Sequence, residues 1–483
     1  MLVAGFDSST QSCKLVVRDA ETGALVRSGR ATHPEGTEVP PEAWWRALAA
    51  AVADAGGLDD VAAVSIAGQQ HGLVALDAEG RVIRDALLWN DTRSAGAARD
   101  LIAEFGAAYL AARVGAVPVA SFTSTKLRWL RDHEPESAAR VAAVALPHDW
   151  LTWRLLGYGP ADESPLGPDL VALTTDRSDA SGTGYWSPRT GDWDRELLVA
   201  ALGHEVVLPH VLQPNERAGE TVEGVLPGVP RGVIVGAGAG DNAGAALGLD
   251  AREGDVVVSI GTSGTVFSIA AAPTADATGL VAGFADATGA FLPLSATLNA
   301  ARVLDATAAL LGVDHDAFGA LVAEGAAVPH EGERGGGLVL VPYFDGERTP
   351  DLPEATGVLA GITRATLTRA GLARASVEGV LCNLAEALDA HRALGVTVRR
   401  VLLIGGAAVS PGVQAVVPHV FDVPVDVPAP GEYVADGAAR QAVWTLTRVR
   451  PDWPVETVAH LDPADDHGLR ERYRAEAARI AAR

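Results

Sequence analysis

Two apolar strands joined by a turn of small polar residues occur twice in this chain, about half its length apart. Near the start, residues 2–6 and 13–19 read as strands around the polar turn 7–12. The echo is strand 255–260, the small-residue turn 261–264, and strand 265–270. A hairpin at the head of each half points to two related α/β halves with a cleft between them. The chain has 483 residues, roughly three times a typical single-core length, so more than one domain is expected.

Composition narrows the partners. The net charge is −23, from 38 basic and 61 acidic side chains. Nucleic acid and anionic membranes both need a basic surface, so neither is expected as a partner. A phosphate ligand stays open, because backbone N–H groups can hold it without Lys or Arg. Only Cys13 and Cys382 are present, which is no disulfide framework and fits a reducing cytoplasm. The opening lacks the basic and apolar pattern of a signal segment. No stretch has the ~18 apolar residues of a membrane span.

The remaining pattern is strand, loop, helix. A helix is expected over 41–55, with Trp44, Leu48 and Val52 on one face. Strand 61–67 ends in Gly-Gln-Gln-His-Gly, and residues 95–112 and 126–132 read as helices. Residues 157–194 read as loops with short strands. Strand 231–235 precedes Gly-Ala-Gly-Ala-Gly-Asp-Asn. After the glycines at 335–337, strand 338–342 leads into Tyr-Phe-Asp-Gly-Glu-Arg-Thr-Pro. Helix 370–394, strand 400–404 with Gly-Gly-Ala-Ala-Val-Ser, and a helical tail from 469 complete the chain.

Several of these segments carry chemistry. The first turn, with Asp7, Ser8, Ser9 and Thr10, reads as a plain polar turn or as an anion nest with added hydroxyl donors. Asp7 repels phosphate unless Mg²⁺ lies between them. The turn Gly261-Thr262-Ser263-Gly264 has the same logic without the acid. No Walker-type lysine loop occurs. Gly238-x-Gly240-x-x-Ala243 is a loose dinucleotide fingerprint, but Asp241 sits inside it and would repel a pyrophosphate. The other readings make Asp241 a helix cap, or a carboxylate that takes a proton from a substrate hydroxyl. Gln70, His71 and Trp89 follow strand-like runs, where polar and aromatic groups often face a ligand crevice. Asp345, Glu347 and Arg348 read equally well as a solvated loop or as a loop that carries chemistry, and the twelve histidines show no zinc spacing.

Taken together, these segments resemble the FGGY carbohydrate kinases over nearly the whole chain. The pieces, in order, are FDSSTQSCK at 6–14, AGQQHG at 67–72, LLWNDTR at 87–93 and TSTKLRWL at 123–130. LPHDWLTWRLLG at 146–157, SDASGT at 178–183 and GAGDNAGAALG at 238–248 follow. SIGTSGTVF at 259–267, PYFDGERTP at 342–350 and LIGGAAVS at 403–410 complete the set. The resemblance implies two actin-like, ribonuclease-H-like α/β domains with a catalytic cleft between them, expected at 1–240 and 241–483. It implies ATP and Mg²⁺ as cofactors, a homodimer, and D-xylulose as the sugar that is phosphorylated.

Carried over residue by residue, Asp241 is the general base. Asp7 faces Mg²⁺ and the phosphates, with Asp241 as the second metal-side carboxylate. Gln70, His71, Trp89, Asp241 and Asn242 are the implied sugar contacts. Ser8, Ser9, Thr10, Lys14, Gly261, Thr262, Ser263, Gly405, Gly406 and Ala407 are the implied nucleotide contacts. Two positions depart from the family pattern: Ala407 stands for a glycine and Val409 for a basic residue, which bears on nucleotide affinity. The rival readings are a kinase for another ketose or polyol, an NAD(P)-dependent oxidoreductase, and a catalytically silent sugar-binding protein.

Overall fold

The computed structural model describes residues 1–327, 337–464 and 468–481. Of the glycines at 335–337, the first two lie outside the described residues. The chain forms two compact units. The first holds Met1–Asp250, Ala271–Leu292 and Glu432–Pro454; the second holds Ala251–Ala270, Pro293–Gly431 and Val455–Arg483. The division differs from the one expected after residue 240. Asp241 and its helix stay with the first unit, because their packing partner, helix Tyr433–Thr447, returns to it late in the chain.

In the first unit, strand Leu2–Ser8 pairs antiparallel with Ser12–Asp19 and parallel with Val61–Gly68. Ser12–Asp19 then pairs antiparallel with Leu25–Thr32. On its other side Val61–Gly68 pairs parallel with Ile234–Gly236 and with the short strand Ala239–Gly240. Strand Leu2–Ser8 is buried along six of its seven residues, as expected for a strand covered on both faces. Helix Pro41–Asp54 covers one face. Its Trp44, Leu48 and Val52 recur at the helical period and join Phe6, Leu15, Val17, Val64 and Ile66 in one core.

Helix Tyr433–Thr447 covers the other face through Ala435, Ala439, Ala442 and Val443, set against Val3, Val16 and Ala63. Small side chains let this helix also press on helix Asp241–Gly248. A Cβ added at Gly437 would lie 1.8 Å from the Gly244 carbonyl oxygen, so the crossing needs glycine there.

The second unit repeats the plan. Strand Asp255–Ile260 pairs antiparallel with Gly264–Ser268 and parallel with Arg400–Ile404. Val425–Pro428 and Thr457–Leu461 extend the sheet. Helix Arg369–Ala393 packs on it, with Val380, Leu381, Leu384 and Leu388 sharing a core with Val256, Val258 and Ile260. The hairpin echo in the sequence is therefore a true structural repeat.

Three local expectations change. Asp7 and Ser8 belong to the strand and not the turn, because pairing on both sides of Leu2–Ser8 carries it two residues further. The single helix expected over 95–112 is two, Ala95–Phe105 and Ala107–Val114. They break at Gly106, whose φ of +87° leaves the helical region. Glu347 is not solvated. It is buried and accepts from Leu298 N at 2.6 Å, Arg348 N at 2.8 Å, Asn383 Nδ2 at 3.0 Å and Asn299 Nδ2 at 3.1 Å.

The glycine crossing gives a direct test. Gly437→Ala is expected to destabilise the protein by about 1–3 kcal/mol, the usual cost of overpacking. Gly406→Ala, whose added Cβ meets nothing within 4 Å, is expected to leave urea unfolding nearly unchanged.

Candidate active site

Parallel register sets the geometry in the first unit. Ser8 stands opposite Gly68, and Gly68 stands opposite Gly240. Asp7, Gln70 and Asp241 therefore emerge at the same end of three adjacent strands. This is where ligand sites form in parallel-containing α/β sheets.

Asp7 is 4% exposed. Ser9 Oγ donates to its Oδ1, and Lys14 Nζ lies 3.9 Å from its Oδ2. Burial pushes the Asp7 carboxyl up to about 6, while Ser9 and Lys14 offset part of that rise. The neighbouring Ser8 hydroxyl is buried and has no hydrogen-bond partner. A buried donor without an acceptor is costly unless a ligand supplies one, so a phosphate or hydrated metal fits here.

Asp241 is the first residue of helix Asp241–Gly248, and Asn242 closes over it. Asn242 N donates to Asp241 Oδ1 at 2.8 Å, and Asn242 Nδ2 to the same oxygen at 2.9 Å. The Asn242 amide also reaches Gln70 Oε1 at 3.3 Å. Burial, and then the negative charge of Asp7, push the Asp241 carboxyl up to about 7. A like charge nearby disfavours the ionised form, so Asp241 is the more readily protonated of the two.

The loop before Asp241 is pinned from three sides. Gln441 holds both main-chain groups of Gly238: Gly238 N donates to its Oε1 at 2.9 Å, and its Nε2 donates to Gly238 O at 2.8 Å. Gly240 N donates to Ser178 Oγ at 3.0 Å. His148 lies directly beneath, since a Cβ on Gly238 would come within 2.3 Å of its ring. His148 is fully buried among three carboxylates. Its Nδ1 is 2.7 Å from Asp179, and its Nε2 is 3.4 Å from Asp149 and 3.9 Å from Asp176. These charges outweigh desolvation and push the imidazole up to about 10, so it is a cation at neutral pH. Asp176 in turn caps the short helix Arg177–Ala180 that carries Ser178.

Gln70 Nε2 donates to the Ser178 carbonyl at 3.3 Å. His71 sits at φ +69°, a left-handed conformation that non-glycine residues adopt at a cost. Its Nδ1 is 2.6 Å from Gly182 O, so that nitrogen carries the proton, and its ring stacks on Phe122. Trp89 is partly exposed and donates from Nε1 to Thr10 Oγ1 at 2.8 Å, tying an aromatic face to the first hairpin.

The second unit brings its own residues together. Ser259 is level with Ile404 across the parallel pair, so Gly261 and Gly405 leave adjacent strand ends. Gly261 O is fixed by Ala301 N at 2.9 Å, while Thr262 points to solvent. The surface above Gly406 is open. Ala407 is half-buried and packs on the core, and Val409 is 43% exposed. Sequence patterns had not marked Ser178, Gln441 or the His148 cluster as parts of this site. The contacts His148–Asp179, Gly240–Ser178 and Gly238–Gln441 span 31, 62 and 203 residues, too far to show as a local pattern.

Two α/β units, each opening on an antiparallel hairpin flanked by a parallel strand, define a two-domain mixed α/β fold of the kind seen in solved carbohydrate kinases. The crystal structure of xylulose kinase from Bifidobacterium adolescentis superposes with a TM-score of 0.89, at 44% identity over 99% of each chain. The xylulose kinase of Streptomyces coelicolor is 46% identical over 92% of this chain and 88% of its own. That of Streptomyces rubiginosus is 44% identical over 93% and 89%. The model of the FGGY carbohydrate kinase N-terminal domain matches residues 2–248, and that of the C-terminal domain matches 256–446. The chain belongs to the FGGY family of carbohydrate kinases. It is accordingly a transferase that takes a phosphoryl group from ATP.

The buried cation gives a prediction. His148→Leu would remove the counter-charge of Asp149, Asp176 and Asp179, whose carboxyls burial already pushes up, at an expected cost of about 3–5 kcal/mol. The folded-state value, about 10, lies above the ordinary 6.5. The stability His148 confers is therefore full below pH 6.5 and is lost as the pH rises toward 10. Urea unfolding of both proteins across that range checks the size and the sign.

Proposed function

We propose that this carbohydrate kinase transfers the γ-phosphoryl group of ATP to D-xylulose, giving D-xylulose 5-phosphate and ADP. The observation that carries the chemistry is Asp241, held near neutrality beside Asp7 at one sheet end. A general base works best when its pKa lies near the working pH. The relatives at 46% and 44% identity, both xylulose kinases, support the choice of sugar.

In this reading Asp241 takes the proton from the sugar's terminal hydroxyl as the phosphoryl group arrives. Asn242 holds the carboxylate in place through two hydrogen bonds to Oδ1. Gln70, His71 and Asn242 bond the sugar hydroxyls, and Trp89 offers an aromatic face to its C–H groups. Asp7 and the unpartnered Ser8 hydroxyl, with Asp241 alongside, are the groups that would hold Mg²⁺. The metal, when bound, supplies charge neutralisation on the phosphate oxygens. Ser9, Thr10 and Lys14 line the phosphate side of the first hairpin. The main-chain N–H groups of Gly261, Thr262 and Ser263 act as the second phosphate grip. Gly405, Gly406 and Ala407 receive adenosine. Two free, buried cysteines fit a reducing compartment such as the cytoplasm. A homodimer, suggested by the family, is a question for light scattering.

Four outcomes test this reading. Asp241→Asn is expected to lower kcat by about 10²–10⁴-fold while the KM for ATP stays near normal. Turnover close to wild type would dismiss Asp241 as the base. The base must be ionised, so kcat/KM at limiting sugar should fall as the pH drops through the Asp241 value of about 7. A flat profile there would contradict the assignment. In a sugar panel read by ADP release, D-xylulose should give the highest kcat/KM, and NAD(P) should not bind. Since the Ala407 methyl packs on the core, Ala407→Gly should change the KM for ATP by less than about threefold.

A further inference from the structure

Lys126 is one of two lysines in the chain and is fully buried, on helix Thr123–His133. A buried ammonium is costly, and no carboxylate pairs with it among the described residues. Its partners are two main-chain carbonyls, those of Ser121 and of His71, the latter at 3.1 Å. Thr123, three residues earlier on the same helix face, donates from Oγ1 to the same His71 carbonyl at 3.1 Å. That carbonyl belongs to a residue in the left-handed region, so its direction is not set by regular structure. The ring of the same residue is fixed by Gly182 O and by the faces of Phe122 and Phe284.

We propose that Lys126 is a positioning residue for the sugar site: with Thr123 it clamps the His71 carbonyl and so sets where the imidazole meets the sugar. The inference rests on the reading of His71 as a sugar contact. A leucine or methionine would fill the same space without desolvating a charge, so packing alone gives no reason for a lysine here. Burial lowers the Lys126 ammonium to about 7, with Asp91 opposing the shift.

The test is steady-state kinetics on the full chain with D-xylulose and MgATP, comparing Lys126→Met, Thr123→Val, His71→Ala and the double variant Lys126→Met/His71→Ala. A lost, well-placed hydrogen bond is worth roughly tenfold in affinity. Lys126→Met and His71→Ala should each raise the KM for the sugar by about that factor or more, while the KM for ATP moves less than twofold. The double variant should be no worse than His71→Ala, because both act through one ring. An unchanged sugar KM in Lys126→Met, while His71→Ala raises it, would overturn the clamp. So would multiplicative effects in the double variant, or equal rises in both KM values. If Lys126→Met does not fold, Thr123→Val carries the same comparison: a rise confined to the sugar supports the clamp, and no rise overturns it. If His71→Ala itself leaves the sugar KM unchanged, the reading of His71 fails, and the clamp fails with it.

Discussion

Strand Val61–Gly68 is hydrogen-bonded in parallel to Leu2–Ser8 on one side and to Ile234–Gly236 and Ala239–Gly240 on the other. This shared direction is the constraint on which the candidate site depends. A parallel register brings strand ends to one level, whatever the distance along the chain. Asp7, Gln70 and Asp241 are 234 positions apart at their extremes, yet they leave the sheet side by side. A slip of one residue would turn Asp7 to the opposite face and separate the pair. Burial raises both carboxyls, and the nearby charge of Asp7 raises Asp241 further.

Around this register the first unit spends buried polar groups freely. Gln441 satisfies the Gly238 backbone, Ser178 the Gly240 N–H, and Lys126 the His71 carbonyl. His148 brings a positive charge under the loop that ends in Asp241. Such networks are worth having only when fully met, because each orphaned group is expensive in a low-dielectric interior. Rigidity at Gly238–Asp241 keeps a carboxylate in place without a side-chain cap on its helix. The unmet Ser8 hydroxyl is one of several buried polar atoms here without a hydrogen-bond partner, His148 Nε2, Asp149 Oδ1 and Asp179 Oδ1 among them, and it is the one beside Asp7.

Much of this was legible in the sequence, for identifiable reasons. Strand and helix periods locate Pro41–Asp54, Arg369–Ala393 and Arg400–Ile404 within a residue or two, because their apolar positions repeat at the right spacing. The paired hairpins gave the two-unit plan, since each needs only local turn chemistry. What stayed hidden depends on long-range contact. Nothing near Glu347 says that Asn299 and Asn383 will enclose it, and nothing near Lys126 says that its ammonium will reach a carbonyl 55 residues away. The late return of Glu432–Pro454 to the first unit is likewise a packing result. Small alanine and glycine faces on Tyr433–Thr447 show in hindsight what they touch. Roles of individual side chains came from resemblance and geometry together, since neither Asp7 nor Asp241 is distinctive in its local sequence.

The central claim is that the Asp241 carboxylate receives the proton of the sugar's terminal hydroxyl. A crystal structure of the full chain with D-xylulose and a non-hydrolysable ATP analogue tests it most directly. An Asp241 oxygen should lie about 2.6–3.2 Å from the terminal hydroxyl oxygen of the sugar, the reach a general base requires. A bound sugar whose terminal hydroxyl faces a different carboxylate, or none, would contradict it.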